Sequence, residues 1–193
     1  MQVNIIAKGR GWNFAPTTGE SWGIPLTLLF RPVDVVFEMH DITGEYLPGI
    51  PWIENPRFAG AYRKAKESDL LVYGLDEYEF EGLKFKKYPI KEILNEFGET
   101  LFNCSVDYML AFAIYKKYDE IDVYGVNVSM GEEYYYQRPG VEFWRGYARG
   151  KGIDIKFHGP TAVGKCKENK IYGYKTKQDD FLTTILNKEN EIG

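Results

Sequence analysis

The chain has 193 residues, 44% of them hydrophobic, and a net charge of −4 with a pI near 5.4. This length and composition suit one domain with a single substantial core. Because affinity for a nucleic-acid backbone depends on clustered Lys and Arg, the acidic balance disfavours nucleic acid as a partner.

The first half of the chain contains segments with strand character. Residues 3–7 are an apolar run that ends in a glycine turn, and residues 33–41 are a β-branched run. Residues 20–30 fit a second strand or a short helix, and Pro25 disfavours both. Residues 43–58 are expected to form a loop rich in Pro, Gly and aromatic side chains.

The second half alternates predicted helices and strands. Apolar residues spaced i, i+3, i+4 and i+7 from Ile90 predict a helix between Pro89 and Gly98. Ser105 is expected to cap a second, mostly apolar helix, and Pro139 to begin a third. Residues 61–69 have helix character, and residues 70–74, 120–128 and 153–158 have strand character.

Strands that alternate with helices favour a mainly parallel sheet with helices on both faces. We therefore predict a single α/β domain over residues 1–175. The polar tail, residues 176–193, is expected to pack as a terminal helix or to fray.

The cysteines and the hydropathy indicate the compartment. Cys104 and Cys166 are far apart in sequence, and there is neither a secretory leader nor a long apolar run. We therefore expect a cytoplasmic protein without membrane contact. The two histidines, His40 and His158, and the lack of a close cysteine pair leave too few ligands for a structural zinc site.

The stretch GPTAVGKC, residues 159–166, differs in its last position from the phosphate-binding pattern G-x-x-x-x-G-K-[ST]. Such a loop needs a following helix and a hydroxyl ligand for Mg²⁺, and here the last residue is Cys166. We interpret the stretch as a solvent-exposed turn after the last strand.

A glycine turn, Gly9-Arg10-Gly11, follows the first predicted strand and precedes Trp12. Glycine turns at the carboxyl ends of parallel strands bind phosphorylated ligands in α/β sheets. The third glycine of the dinucleotide pattern is replaced by Phe14, so NAD binding is not predicted. Arg10 favours an anion site, and a turn that simply needs glycine is the alternative.

His40 and Asp41 fall at the end of the strand predicted over residues 33–41. A histidine beside a carboxylate can move protons near neutral pH, so His40 is a candidate general base. Neighbouring strand residues point to opposite faces, so the two need not act as a pair. The alternative is a polar residue that caps the strand end or binds a ligand.

Residues 127–144 are expected to form a loop followed by a helix start, a position that often carries function. Arg138 is a candidate clamp for phosphate or carboxylate, Tyr135 for stacking on a base or sugar, and Gln137 for ligand binding. Glu142, in the predicted first turn of the helix, could accept from a ribose hydroxyl. The alternative is a tyrosine lid in which Arg138 pairs with a nearby glutamate.

Two further positions are weaker candidates. Ser105 begins the most apolar predicted helix, and a helix start favours an anion, although a simple cap would explain the residue as well. Glu132 and Glu133 could hold a divalent cation, although no third carboxylate lies at a suitable spacing.

Several blocks of the chain resemble uncharacterised proteins encoded by bacteriophages and prophages. The most recognisable are VDVVFEMHD and EYYYQRPGVEFW, and further blocks such as IIAKGRGW and IDVYGVNV follow the same order over most of the chain. The resemblance implies a phage-type protein in the host cytoplasm and no particular activity.

A second resemblance covers about a quarter of the chain. SVDYMLAFAI followed by EIDVYGVN is similar to the helix and strand of Campylobacter-type bacterial sialyltransferases, and of archaeal-type pterin diphosphokinases and flagellin-glycosylation transferases. It implies a Rossmann-like fold and transfer chemistry on a nucleotide or nucleotide-sugar. This chain has GRGW where those families have a G-x-G-P-S-like turn, and it has no clear counterpart of their catalytic histidine.

We therefore expect a nucleotide or nucleotide-sugar binding protein that transfers a group from its ligand. Arg10 and Arg138 would hold phosphates, His40 would act as base, Tyr135 would stack, and Glu142 would fix the acceptor or a ribose. The sequence does not identify a cofactor, for which a divalent cation is one candidate. It also does not decide whether the chain forms a homo-oligomer.

Two alternatives from other classes stay open. One is a nucleoside deoxyribosyltransferase or a nucleotide glycosidic-bond hydrolase, in which Asp41 or Glu142 would be the nucleophile or base. The other is a non-catalytic phage protein that sequesters a nucleotide or binds a host partner.

Overall fold

The computed structural model describes residues 1–98, 100–129 and 131–165. Met1–Val163 forms one compact unit, and most of a second unit, Gly164–Gly193, falls outside the described residues. The predicted domain end at residue 175 and the tail 176–193 therefore lie outside them too.

The described residues form ten strands and four α-helices, joined by three short 3-10 helices. The strands are β1 (Gln2–Ile6), β2 (Ser21–Gly23), β3 (Val35–Phe37), β4 (Glu45–Leu47), β5 (Ile50–Pro51), β6 (Leu71–Gly74), β7 (Tyr78–Phe80), β8 (Leu83–Lys87), β9 (Glu120–Tyr124) and β10 (Asp154–His158). The α-helices are α1 (Pro56–Glu67), α2 (Ile90–Phe97), α3 (Ser105–Tyr115) and α4 (Glu132–Gly150). The 3-10 helices are Trp12–Phe14, Pro25–Leu29 and Trp52–Glu54.

Eight strands form one sheet in the order β10-β9-β1-β2-β3-β6-β8-β7. Every neighbouring pair is parallel except β7 and β8, so the predicted α/β fold with a mainly parallel sheet is confirmed. The chain builds outward from β1 through β2, β3, β6 and β8, and then returns to β9 on the other side of β1. Such a reversal leaves a crevice at the carboxyl ends of the two strands that flank it, here β1 and β9.

Two clusters of buried side chains pack against the sheet. Ile5 and Phe37 belong to the cluster that includes α3 and α4, whereas their neighbours Ile6 and Val36 belong to the cluster that includes α1. This alternation follows from the two-residue period of a strand. Each fully buried large apolar side chain contributes about 1.5–3 kcal/mol to folding.

The start of α3 differs from the prediction, because its N-cap is Cys104 and Ser105 is the first helical residue. Cys104 and Asp107 form a reciprocal capping box. The Asp107 carboxylate accepts from the backbone N–H groups of Asn103 and Cys104 at 2.6 and 3.1 Å. Cys104 therefore takes the N-cap position expected for Ser105, and the buried Asp107 carboxylate completes the capping box.

The start of α4 was predicted wrongly at Pro139, since the helix begins at Glu132 and Pro139 lies inside it. A proline without an N–H removes one backbone hydrogen bond, and the α4 helix continues through that loss. Tyr135 and Arg138, expected in a loop, therefore lie in the first two turns of α4, and Glu142 lies beyond its first turn.

Two hairpins were not predicted, one of them within the segment 43–58 that was expected to be loop. The antiparallel pair β7 and β8 is joined by Glu81 and Gly82, both with positive φ, which is the geometry of a tight two-residue hairpin turn. The pair β4 and β5 forms a separate two-stranded sheet within residues 43–58. Among the described helices, none has the length and apolar character needed to span a bilayer.

Candidate functional site

A cavity of about 580 Å³ lies at the carboxyl ends of the parallel strands. Residues that follow β1, β2, β3 and β9 line it, together with residues at the starts of α1, α3 and α4. It therefore occupies the crevice where the strand order reverses, which is the usual ligand position in open α/β sheets.

Two glycines bring the ends of β1 and β9 into direct backbone contact beside this cavity. The N–H of Gly9 donates to the carbonyl oxygen of Gly125 at 2.8 Å. A β-carbon on Gly9 would lie 2.3 Å from that oxygen, and one on Gly125 would lie 2.4 Å from the carbonyl oxygen of Ala7. Gly125 also has a φ of +69°, so any side chain at either position would displace backbone.

The central polar feature of the cavity is a carboxylate–imidazole pair, Glu38 and His40. Nδ1 of His40 donates to Oε1 of Glu38 at 2.5 Å, and the backbone N–H of His40 donates to the same oxygen at 3.0 Å. Glu38 is fully buried, whereas the His40 side chain is 45% exposed and lines the cavity. A carboxylate oxygen only accepts, so this pairing assigns the proton to Nδ1 of His40 and leaves Nε2 as the nitrogen that can accept one from a ligand.

The buried Glu38 carboxylate has a second partner. Its Oε2 accepts from the hydroxyl of Tyr62 in α1 at 2.5 Å. Burial, followed by the charge of Glu38, raises the pKa of the Tyr62 hydroxyl, which therefore stays a donor. Charge-assisted bonds of this kind stabilise a carboxylate that has lost its hydration.

Aromatic rings fix the plane of the His40 imidazole. Trp52 stacks on it with ring centroids 4.6 Å apart and an interplanar angle of 26°, and Phe58 lies at 5.7 Å. Bonded at Nδ1 and stacked on a ring face, the imidazole has little freedom to rotate.

Two cations line the same cavity. Lys8 follows β1, and Arg57 lies in the first turn of α1. Partial burial and the neighbouring Arg57 guanidinium lower the pKa of Lys8, and the Glu133 carboxylate acts in the opposite direction. Two cations in one cavity favour an anion between them, and the positive end of α1 adds to that preference.

Apart from Glu133, in the first turn of α4, the rest of the lining is neutral. The polar members are Asn55, Asn103, Ser105, Asn127 and Gln137, and the aromatic members are Tyr46, Trp52, Phe58, Phe102, Tyr108 and Tyr134. Such a lining offers hydrogen bonds and flat apolar faces, the chemistry that recognises a base or sugar.

Asp107 is a buried carboxyl directly behind this lining. Burial raises its pKa to about 7, against the lowering effect of its backbone donors, and its Oδ1 has no partner among the described residues. Gly140 in α4 makes room for it, since a β-carbon there would lie 2.2 Å from Oδ2. Burial also raises the pKa of Cys104 to about 12, so that thiol is not a nucleophile at neutral pH.

The predicted site residues divide into two groups. Those that line the cavity are Gly9, His40, Ser105 and Gln137. Those that do not are Arg10, Gly11, Trp12, Asp41, Tyr135, Arg138 and Glu142.

Asp41 is not a partner of His40. Its Oδ1 accepts from the backbone N–H groups of Thr43 and Gly44 and from the Thr43 hydroxyl, so it closes a local turn. Those bonds, led by the one from the Thr43 hydroxyl, lower the pKa of Asp41.

The Gly9-Arg10-Gly11 turn reaches the cavity only through Gly9. Gly11, with a φ of +94°, packs against Gly159. Trp12 begins a 3-10 helix, and its ring centroid lies 4.5 Å from that of Phe30. Arg10 is exposed. The part of the turn beyond Gly9 therefore packs away from the cavity.

Of the α4 residues expected in the site, Gln137 lines the cavity, whereas Tyr135, Arg138 and Glu142 do not. Arg138 pairs with Glu142 at 3.5 Å, and Arg145 pairs with the same carboxylate at 3.7 Å. Tyr135 is 76% exposed and contacts Tyr136 edge to face, and Tyr134 lines the cavity in its place. The ion-pair alternative for Arg138 thus matches the structure.

Residues 159–165 of the Walker-like stretch form bends and turns, with no helix up to Lys165. The Ala162 N–H donates to the carbonyl of Asn127, and Val163 is buried, so the expected solvent-exposed turn is partly packed. Cys166 lies outside the described residues. Within the described chain, no three His, Cys, Asp or Glu side chains come together as a metal-binding group.

The sequence analysis missed four residues on which the proposed site depends: Glu38, which is buried beside the cavity, and Lys8, Trp52 and Arg57, which line it. Glu38 was detectable, because it lies two residues before His40 and so shares its side of an extended strand. Lys8 adjoins the glycine turn. Trp52 and Arg57 lie in or beside a segment interpreted as loop, and no local pattern marks them.

No family model matches the chain, and no curated protein or solved structure matches it significantly. The functional argument therefore rests on the cavity and on the side chains around it.

Proposed function

We propose that the chain is a Rossmann-like enzyme, with helices on both faces of its sheet, that transfers a group from a nucleotide or nucleotide-sugar bound in the cavity. The observation that carries this proposal is the buried Glu38 carboxylate bonded to Nδ1 of His40. The imidazole faces a cavity that also contains Lys8 and Arg57. A base and an anion site in one crevice are what such a transfer needs.

For a nucleotide-sugar, the acceptor is a compound with a free hydroxyl. Its oxygen forms a bond to the anomeric carbon, and the bond from that carbon to the donor phosphate oxygen breaks. The electron pair leaves with the nucleotide phosphate, and the hydroxyl proton passes to Nε2 of His40. Glu38 stabilises the resulting imidazolium, and Lys8 and Arg57 stabilise the charge on the departing phosphate.

The alternatives are less well supported by the geometry. A glycosidic-bond enzyme was expected to use Asp41 or Glu142, and neither carboxylate lines the cavity. A sequestering protein would use the same cavity and would return its ligand unchanged, so analysis of the ligand after binding distinguishes it from a transferase.

The test is a thermal-shift screen of the purified chain against nucleotides, nucleotide-sugars and pterins, followed by mass spectrometry of every compound that raises the melting temperature. A ligand at a hundred times its Kd stabilises the native state by about 2.7 kcal/mol. We expect a nucleotide-type compound to do so, and a nucleotide-sugar to be consumed when hydroxyl acceptors are added.

Charge-removing variants locate the binding site. Lys8→Gln and Arg57→Gln should each weaken binding of the stabilising nucleotide by about tenfold or more, because each removes a charge-assisted bond. Arg63→Gln, an exposed residue of α1 outside the cavity lining, is the matched control and should leave Kd unchanged. A screen in which no nucleotide or nucleotide-sugar raises the melting temperature would overturn the proposal.

A further inference from the structure

Glu133 is the one acidic side chain among the described residues that line the cavity. It lies in the first turn of α4, and its charge raises the pKa of Lys8, opposing the effect of Arg57. The carboxylate therefore lines the same cavity as Lys8, the cation that we place against a phosphate, and interacts with it electrostatically.

The hydrogen bonds of Glu133 leave one oxygen for a ligand. Oε1 accepts from the side-chain amide of Gln137, one turn further along α4, at 2.7 Å. Oε2 has no partner within the described chain. An ionised carboxylate only accepts hydrogen bonds, so the ligand group that it binds must be a donor.

A phosphate would be repelled by Glu133, whereas a sugar hydroxyl would not. In a 5′-nucleotide the ribose follows the phosphate directly, so with a phosphate at Lys8 and Arg57 the ribose hydroxyls lie in the same cavity as Glu133. The lining also includes Asn103 and Asn127, neutral amides suited to a base or sugar edge.

We propose that Glu133 accepts a hydrogen bond from the 2′-hydroxyl of a ribose whose phosphate lies between Lys8 and Arg57. The site then selects ribonucleotides over 2′-deoxyribonucleotides. This inference rests on the proposed function, and it gives Glu133 the role that the sequence analysis expected of Glu142. Glu142 is held by Arg138 and Arg145 and does not line the cavity.

The experiment is isothermal titration of the full chain with the four ribonucleoside 5′-monophosphates and their four 2′-deoxy counterparts, with EDTA and again with Mg²⁺. Loss of a hydrogen bond to a charged group weakens binding by about tenfold or more, so the ribonucleotide of the preferred base should bind at least that much tighter than its deoxy form. The same titrations are made with Glu133→Gln and with Glu92→Gln, an exposed glutamate of α2 outside the cavity lining. Melting temperatures confirm that both variants are folded.

The amide oxygen of Glu133→Gln accepts a weaker bond than a carboxylate does, so the inference requires that this variant lower the ratio of the two Kd values severalfold and that Glu92→Gln leave it unchanged. Equal affinity for the ribo and deoxy forms in the wild type would overturn the ribose assignment and leave nucleotide binding in place. A ratio of ribo to deoxy Kd values that Glu133→Gln leaves unchanged would also overturn the ribose assignment. Binding of both forms that is lost in EDTA would overturn it too, because Glu133 would then be a cation ligand. If none of the eight compounds binds and no nucleotide-sugar does, the proposed function fails and this inference fails with it.

Discussion

The hydroxyl of Tyr62 in α1 donates to Oε2 of Glu38 at 2.5 Å, on the opposite carboxylate oxygen from His40. Helix α1 thereby supports the candidate base through a carboxylate that has no contact with solvent. In Tyr62→Phe the buried carboxylate loses one donor, and we expect the free energy of unfolding to fall by about 1–3 kcal/mol in urea denaturation.

The matched control for that variant is Tyr135→Phe, which removes a hydroxyl from a side chain that is 76% exposed. It should change the free energy of unfolding by less than about 0.5 kcal/mol. Equal effects of the two substitutions would show that the Tyr62–Glu38 bond contributes nothing specific to stability.

The contact between Gly9 and Gly125 gives a prediction about backbone packing. Gly9→Ala and Gly125→Ala should each destabilise the fold by about 1–3 kcal/mol or more, because the new β-carbon would overlap a carbonyl oxygen. Gly146→Ala, in the interior of α4 with no atom near the new β-carbon, should instead stabilise by about 0.5–1 kcal/mol. Thermal melts of the three variants test this, and a Gly9→Ala variant as stable as wild type would contradict the strand-end geometry.

Asp107 predicts how stability depends on pH. Its pKa is about 7 in the folded chain, because of burial, and near 3.9 in the unfolded chain. Between about pH 4 and pH 7 the folded state binds the extra proton, so the free energy of unfolding should fall as pH rises and level off above pH 7. The total loss is on the order of 4 kcal/mol.

Asp107→Asn isolates this contribution, since the amide does not titrate. Urea denaturation from pH 4 to pH 8 measures the unfolding free energies of wild type and Asp107→Asn. As pH rises, the value for wild type should fall relative to the value for Asp107→Asn. If the unfolding free energies of the two proteins change in parallel across this pH range, Asp107 has the same pKa in the folded and unfolded states.

Asp41 and His40 are neighbours in sequence with different roles. Because Asp41 closes a turn with Thr43 and Gly44, Asp41→Asn, which keeps an accepting side-chain oxygen, should leave kcat within about twofold of wild type. Steady-state kinetics on the substrate found by the screen provide the measurement. A loss of a hundredfold in kcat would place the Asp41 carboxylate in the chemistry, as the sequence-based candidate list had it.

The fold was largely predictable because its strands and α2 carry periodic apolar patterns. Local patterns failed where tertiary contacts decide the structure. Pro139 resembled a helix start, yet α4 begins seven residues earlier, and Cys104 with Asp107 caps α3 where Ser105 was expected. The sheet edge that carries His40 was correctly located by its position after a β-branched strand.

The site was less predictable than the fold, for a physical reason. His40 and Gly9 lie directly after strands, so the parallel sheet alone brings them to one edge. Trp52 and Arg57 reach the cavity through a 3-10 helix and the first turn of α1, and that path depends on packing rather than on any short pattern. Glu133 was noticed only as a cation ligand, since its neighbour Lys8 is more than a hundred residues away in sequence.

The most direct test of the account compares wild type with His40→Gln on the nucleotide-sugar that both stabilises and is consumed by the wild-type chain. Loss of a general base lowers rates by about 10²–10⁴-fold, so we expect kcat to fall by at least a hundredfold while the Kd for the donor changes only a few-fold. A His40→Gln variant that turns over the same donor at the wild-type rate would contradict the assignment of His40 as the base.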